Sequence, residues 1–183
     1  MTIWLSKSIE LENREDTRGL LAHSLRWTKA QPNSMLAWQS LGNAYDEINQ
    51  YPLAINAYQQ ALRINPEHAA SWNNLGSTYR SIHLYEKAIH AAQQALRINP
   101  EYALAWENLG SSYSMTEQYA QAINAYQEAL RSNPENARVW SSLGAAYFFT
   151  GNRTKVLEIY KTLKALDAAK AEIYFNALIL RKG

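Results

Sequence analysis

The chain has 183 residues, of which 47% are apolar and 19% charged; its formal net charge is +2 and it contains no cysteine. So small a charge gives no bulk electrostatic attraction to nucleic acid or to an anionic membrane. Without cysteine, disulfides and thiolate chemistry are excluded, and the apolar content is ample for the packed core of one domain.

Residues 1–34 read as a degenerate unit. Trp4 stands as far before Trp38 as Pro32 stands before Pro66, but Lys7, Ser8 and Leu11 break the pattern found later. Leu20, Leu21, Leu25 and Trp27 are expected on one face of a helix, which makes this segment an N-terminal capping helical pair; a loosely ordered leader is the alternative. The N-terminus has no basic lead, and Lys7 and Glu10 interrupt any apolar run, so it does not read as a signal peptide. The expected location is cytoplasmic, or periplasmic if a leader has been trimmed.

Residues 35–68 form the first full repeat. Trp38, Leu41, Tyr45 and Ile48 fall on one stripe of an α-helix. Asn49 and Gln50 interrupt it, and Pro52 suits the first turn of a second helix, where its missing N–H costs nothing. Ala54, Ile55, Tyr58, Ala61 and Leu62 are the stripe of that helix. Asn65 precedes Pro66, and a proline disfavours helix in the residue before it. Residues 69–102 and 103–136 follow the same plan, closing at Asn99–Pro100 and Asn133–Pro134. Glu67, Glu101 and Glu135 are expected near the positive end of the helix that follows each proline. Residues 137–170 begin in the same way and then diverge, with Gly151 as a helix stop. Residues 171–183 read as a capping helix. The longest apolar stretch, Ile173 to Leu180, is far short of the ~20 residues of a membrane span, so membrane insertion is not expected.

Four positions recur at one constant interval: Trp38, Trp72, Trp106 and Trp140; Leu41, Leu75, Leu109 and Leu143; Gly42, Gly76, Gly110 and Gly144; Tyr45, Tyr79, Tyr113 and Tyr147. Glycine inside a helix costs ~1 kcal/mol relative to Ala. The expected compensation is close approach of the two helices of a pair, with Ala54, Ala88 or Ala122 opposite the glycine. One pair cannot bury its apolar face alone, whereas stacked pairs can. The large Trp side chains should fill the space between pairs, and Trp106→Ala should cost ~3–5 kcal/mol through the cavity left.

The pattern Trp-x2-Leu-Gly-x2-Tyr, then Ala-x3-Tyr or Ala, then Ala and Pro, resembles the tetratricopeptide repeat family over about residues 35–167. The resemblance implies an all-α solenoid, a right-handed superhelix of antiparallel helix pairs, making one domain over 1–183. It also implies that the first helix of each pair lines a concave groove for a peptide or helix of a partner protein. On that basis the candidate groove residues are Gln39, Asn43, Asn73, Asn74, Ser77, Arg80, Glu107, Asn108, Ser111, Arg138, Phe148 and Phe149. Ser40 and Ser142 share the phase of Asn74 and Asn108, and Asn176 follows on the last helix. This partial Asn column looks like the peptide groove of the O-GlcNAc transferase repeats. The carboxylate clamp that other members use for chaperone tails is disfavoured, because Asn73, Leu104 and Asn108 stand where its cations would be.

Three further readings concern charge and aromatic residues. Arg63, Arg97 and Arg131 recur once per repeat and are expected to be solvated, pairing locally with Glu67, Glu101 and Glu135; a basic stripe is the alternative. Phe148 and Phe149 are expected under the C-terminal helix through Ile173, Phe175 and Ile179, with a partner anchor as the alternative. The four histidines are scattered and no pair has the spacing of a helical zinc site. No phosphate-cradling loop or Ser–His–acid arrangement is present. The sequence therefore points to a non-catalytic adaptor without metal or cofactor. Self-assembly through the terminal helices and a targeting role in an enzyme complex are the alternatives.

Overall fold

The computed structural model describes the chain from residue 3 to residue 178, and its side chains as far as residue 173. Among the described residues there are eleven α-helices and no strand: α1 (Ile3–Asn13), α2 (Thr17–Ala30), α3 (Met35–Glu47), α4 (Tyr51–Ile64), α5 (Ala69–Ser81), α6 (Tyr85–Ile98), α7 (Ala103–Met115), α8 (Tyr119–Ser132), α9 (Ala137–Phe149), α10 (Arg153–Leu166) and α11 (Ala168–Leu178). They gather into two compact units, Met1–Asn99 and Pro100–Gly183. In the first, α3 packs on α4, α5 on α6, and each pair on the helix before it. In the second, α7 packs on α8, α9 on α8 and α10, and α11 on α9 and α10. No helix among the described residues is long and apolar enough to cross a membrane.

Both ends of each helix follow from local chemistry. α4, α6 and α8 stop at Asn65, Asn99 and Asn133, whose backbones leave the helical region with φ of −136°, −134° and −141°. Each precedes a proline, whose ring would clash with a helical neighbour. The first helix of every pair ends differently. Glu15, Asn49, His83, Glu117 and Gly151 all have φ between 56° and 78°. The amide after each donates to a carbonyl one turn back in the helix, as Gln50 does to Tyr45 at 2.9 Å. Gly151 is thus the fifth instance of a recurring left-handed cap.

The starts of α3, α5 and α9 are capped by side chains from the loops. Ser34 Oγ accepts from the Ala37 amide, and Asn136 Oδ1 accepts from the amides of Arg138 and Val139. His68 Nδ1 accepts from the Ser71 amide at 3.2 Å. That bond requires the neutral ring with its proton on Nε2. Burial holds the His68 pKa below its ordinary 6.5. The unfolded chain then binds the proton more readily, so this contribution is complete above pH 6.5 and is lost as pH falls through the lower folded value. Urea denaturation from about pH 7.5 down to about pH 5 should show the loss, and His68→Asn, which caps without titrating, should flatten it.

The prolines and tryptophans share one function. Trp38, Trp72, Trp106 and Trp140 each donate Nε1–H to the carbonyl of the proline in the preceding turn, at 2.7–2.8 Å. The bond ties each proline turn to the helix that follows it, so the two residue types repeat together.

Two packing expectations change. A Cβ on Gly42 would fall 2.5 Å from Tyr58 Cε1, and one on Gly110 would fall 2.7 Å from Tyr126 Cδ1. The glycines therefore make room chiefly for a ring on the second helix of the pair, not for Ala54 or Ala122. At Gly76 the neighbours are the carbonyl oxygen of Ala88 and the Cβ of Ala91, both at 3.3 Å, because the residue equivalent to those rings is the small Ala92. In α2, Leu20 and Trp27 are buried with Ser24 and Thr28 on the same face, whereas Leu25 is 45% exposed on the flank. Leu25 thus drops out of the face expected for it. The N-terminal segment is nonetheless a helical pair, α1 and α2, whose Leu11 and Leu20 form a cluster with Ala44 of α3.

Candidate partner-binding site

The first-helix face of the first unit is built from α1, α3 and α5. Asn43 is its centre. Its Oδ1 accepts from Tyr58 Oη at 2.9 Å and from Asn74 Nδ2 at 3.0 Å, while its Nδ2 donates to Glu12 Oε1 at 3.1 Å. Burial, and after it the charge of Asp46, pushes the Tyr58 hydroxyl above the ordinary tyrosine range, which keeps it a donor. Next along the face, Thr78 donates to Asp46 Oδ1 at 2.7 Å. A ladder of hydrogen bonds thus joins α1 to α3 and α3 to α5.

The amide column is therefore partly internal. Asn73, expected in the groove, is 6% exposed and donates to Asn74 Oδ1 at 3.4 Å. Its helical phase points it toward the packed side, next to buried Leu75 and Gly76. Ser40 is buried as well, with its Oγ 2.9 Å from that of Ser8 and 2.7 Å from that of Ser24. Gln39, Asn43, Asn74, Ser77 and Arg80 remain half-buried. Arg80 Nε is enclosed and has no hydrogen-bond partner among the described residues.

In the second unit the corresponding face is carried by α7 and α9. Glu107 Oε1 meets Arg138 Nη2 at 2.7 Å, with the carboxylate side chain 13% exposed and the guanidinium outside it. The two candidate charges of this face neutralise each other. Ser111 Oγ accepts from Tyr126 Oη at 3.4 Å, the counterpart of the bond between Tyr58 and Asn43. Asn108 is half-buried, and its backbone carbonyl accepts from Ser112 Oγ at 2.8 Å.

Phe148 is half-buried against the core of this unit. Phe149 is 60% exposed and stacks on Tyr119, with centroids 4.9 Å apart and planes 12° from parallel. The expected cover by Phe175 and Ile179 lies outside the described side chains, as does Asn176. Of the apolar end Ile173–Leu180, only Ile173 has a described side chain, and it is exposed.

The arginine stripe also pairs otherwise than expected. Arg97 reaches back to Glu67 of the preceding repeat at 2.7 Å, and Arg131 holds Glu128 at 3.0 Å within its own helix. Such exposed pairs are worth ~0–1 kcal/mol. Among the described residues no group of three His, Asp or Glu side chains is arranged to hold a metal ion.

Family models match much of the chain. One described as TPR repeat matches residues 32–81 and 116–151, and two described as Tetratricopeptide repeat match 69–102 and 91–124. The tetratricopeptide repeat domain-containing protein PYG7, chloroplastic, of Arabidopsis thaliana is 40% identical over 40 residues, which is 22% of this chain and 13% of that protein. The match thus spans a small fraction of that relative's length. Among solved structures, MamA is 27% identical, with a TM-score of 0.81 over 94% of this chain and 98% of that one. YrrB, described as a TPR protein with an unusual peptide-binding site, is 20% identical, with a TM-score of 0.74 over 92% of this chain and 88% of that one, a likeness of fold alone.

Proposed function

The chain belongs to the tetratricopeptide repeat family, and from that premise we propose that it binds an extended peptide or a helix of a partner protein on its first-helix faces. Members of the family act generally as non-catalytic interaction scaffolds, and we read this chain as an adaptor of that kind, without enzymatic activity.

The observation that carries the reading is Arg80. A buried N–H without an acceptor costs ~1–3 kcal/mol, and Arg80 Nε stands in that condition beside a face of half-buried amides and hydroxyls. By turning outward, this half-buried side chain can offer the N–H to a backbone carbonyl or a carboxylate of a bound segment. The other polar groups add little, because Asn43 and Asn74 already bond to each other. Each neutral hydrogen bond contributes ~0.5–1.5 kcal/mol net. The expected affinity is therefore on the order of micromolar, or ~8 kcal/mol.

The test compares wild-type protein with an Arg80→Gln/Ser77→Glu variant of matched melting temperature as baits in a lysate of the source organism. A protein retained by the first and lost from the second is expected, and calorimetry on its binding segment should return micromolar affinity. Equal retention by both baits would move the contact off this face.

A further inference from the structure

Two cavities occupy equivalent places in the two units, on the side of the second helices. The first, of about 580 Å³, lies between α4, α5 and α6; the second, of about 370 Å³, lies between α8, α9 and α10. Their principal lining residues occupy the same positions two repeats apart, so each cavity is produced by the repeat itself. In both, a Trp ring and two leucines form the floor: Trp72, Leu62 and Leu75 in the first, and Trp140, Leu130 and Leu143 in the second. In both, a glutamine braces the tyrosine at the edge, Gln59 on Tyr79 and Gln127 on Tyr147.

The rims differ in charge. In the second cavity Arg131 is held by Glu128 at 3.0 Å and Lys155 by Glu158 at 2.6 Å. In the first, Arg63 and Lys87 have no carboxylate partner among the described residues, and His90 stands where Glu158 stands in the other. Lys87 Nζ lies over the Tyr79 ring at 5.6 Å, and His90 meets Trp72 edge-on at 6.1 Å. One acid, Glu86, shares this rim. An apolar floor under uncompensated cations complements an apolar side chain that carries acidic neighbours.

We propose that the cavity between α4, α5 and α6 is a second docking site, which takes a bulky apolar side chain flanked by carboxylates from a partner polypeptide. The apolar group covers Trp72, Leu62 and Leu75, while the carboxylates meet Arg63 and Lys87. The equivalent cavity of the other unit has its cations already paired and does not select such a segment. The site is separate from the first-helix face, so loss of partner capture through Arg80 leaves its test unaffected.

The experiment titrates the full chain with the capped peptide acetyl-Ser-Asp-Phe-Asp-Ser-amide and follows the tryptophan indole N–H resonances by NMR. Trp72→Phe assigns the relevant signal. The Trp72 resonance should move saturably while that of Trp140 stays in place. Replacing both Asp residues of the peptide with Asn, or testing Arg63→Glu/Lys87→Glu protein, should weaken binding at least ~10-fold, or ~1.4 kcal/mol. Arg63 and Lys87 are exposed, and an unchanged melting temperature will show that the variant is folded. The proposal is overturned by a silent Trp72, by an equal response of Trp140, or by Asn-peptide or charge-reversed protein binding as well as the original pair.

Discussion

Trp27→Ala should lower the free energy of unfolding by ~3–5 kcal/mol, the range for deleting a large ring from a packed interior. Trp27 is 1% exposed. Its ring lies nearly parallel to that of Trp4, with centroids 6.3 Å apart, and its Nε1–H donates to Gln31 Oε1 at 2.8 Å. The substitution removes the burial, the aromatic contact and the hydrogen bond together. Trp27 also stands one repeat before Ala61, so the degenerate pair places its bulk where the regular repeats place a small residue. Trp106→Ala, expected from sequence to be as costly, should cost only ~1–2 kcal/mol, because a half-buried ring leaves part of its surface in water in either state. Urea denaturation of both variants checks the order. A Trp27→Ala transition unchanged from wild type would mean that the N-terminal pair does not take part in cooperative folding.

Gly42→Ala should destabilise by up to ~2 kcal/mol, against the usual benefit of alanine in a helix. Overpacking costs ~1–3 kcal/mol, and the propensity gain of ~1 kcal/mol offsets only part of it. The new methyl would sit 2.5 Å from the ring of Tyr58, which is buried and anchored through its hydroxyl on Asn43. Gly76→Ala should be nearly neutral, since its nearest neighbours are at 3.3 Å and small adjustments meet the need. A double-mutant cycle separates sterics from propensity: with Tyr58→Ala in place, Gly42→Ala should stop destabilising. If Gly42→Ala costs the same in both backgrounds, the glycine is not there for the ring.

Much of the architecture was legible in single residues. The constant interval between tryptophans marked out the helix pairs, and Asn–Pro and Gly151 marked helix ends. These features depend on sterics and hydrogen bonds between near neighbours in the chain. The left-handed caps at Glu15, His83 and Glu117 escaped reading, because neither residue type advertises positive φ. Their shared phase with Asn49 and Gly151 was the available signal.

The candidate site was less legible, because its partners lie across helices. Sequence phase placed Asn73 and Asn74 side by side on one face. Yet a step of about 100° around the helix buries the first and leaves the second to bridge to Asn43. Likewise Arg138 and Glu107 are both visible as charges, but only the packing of α7 on α9 makes them a pair. The repeat, most helix boundaries and the family could all be read without coordinates, since each rests on local geometry repeated in register. Packing was needed to learn which ring each glycine admits, which amides are spent on neighbouring repeats, and which cations remain unpaired. Those outcomes depend on contacts between helices, and no local pattern encodes them.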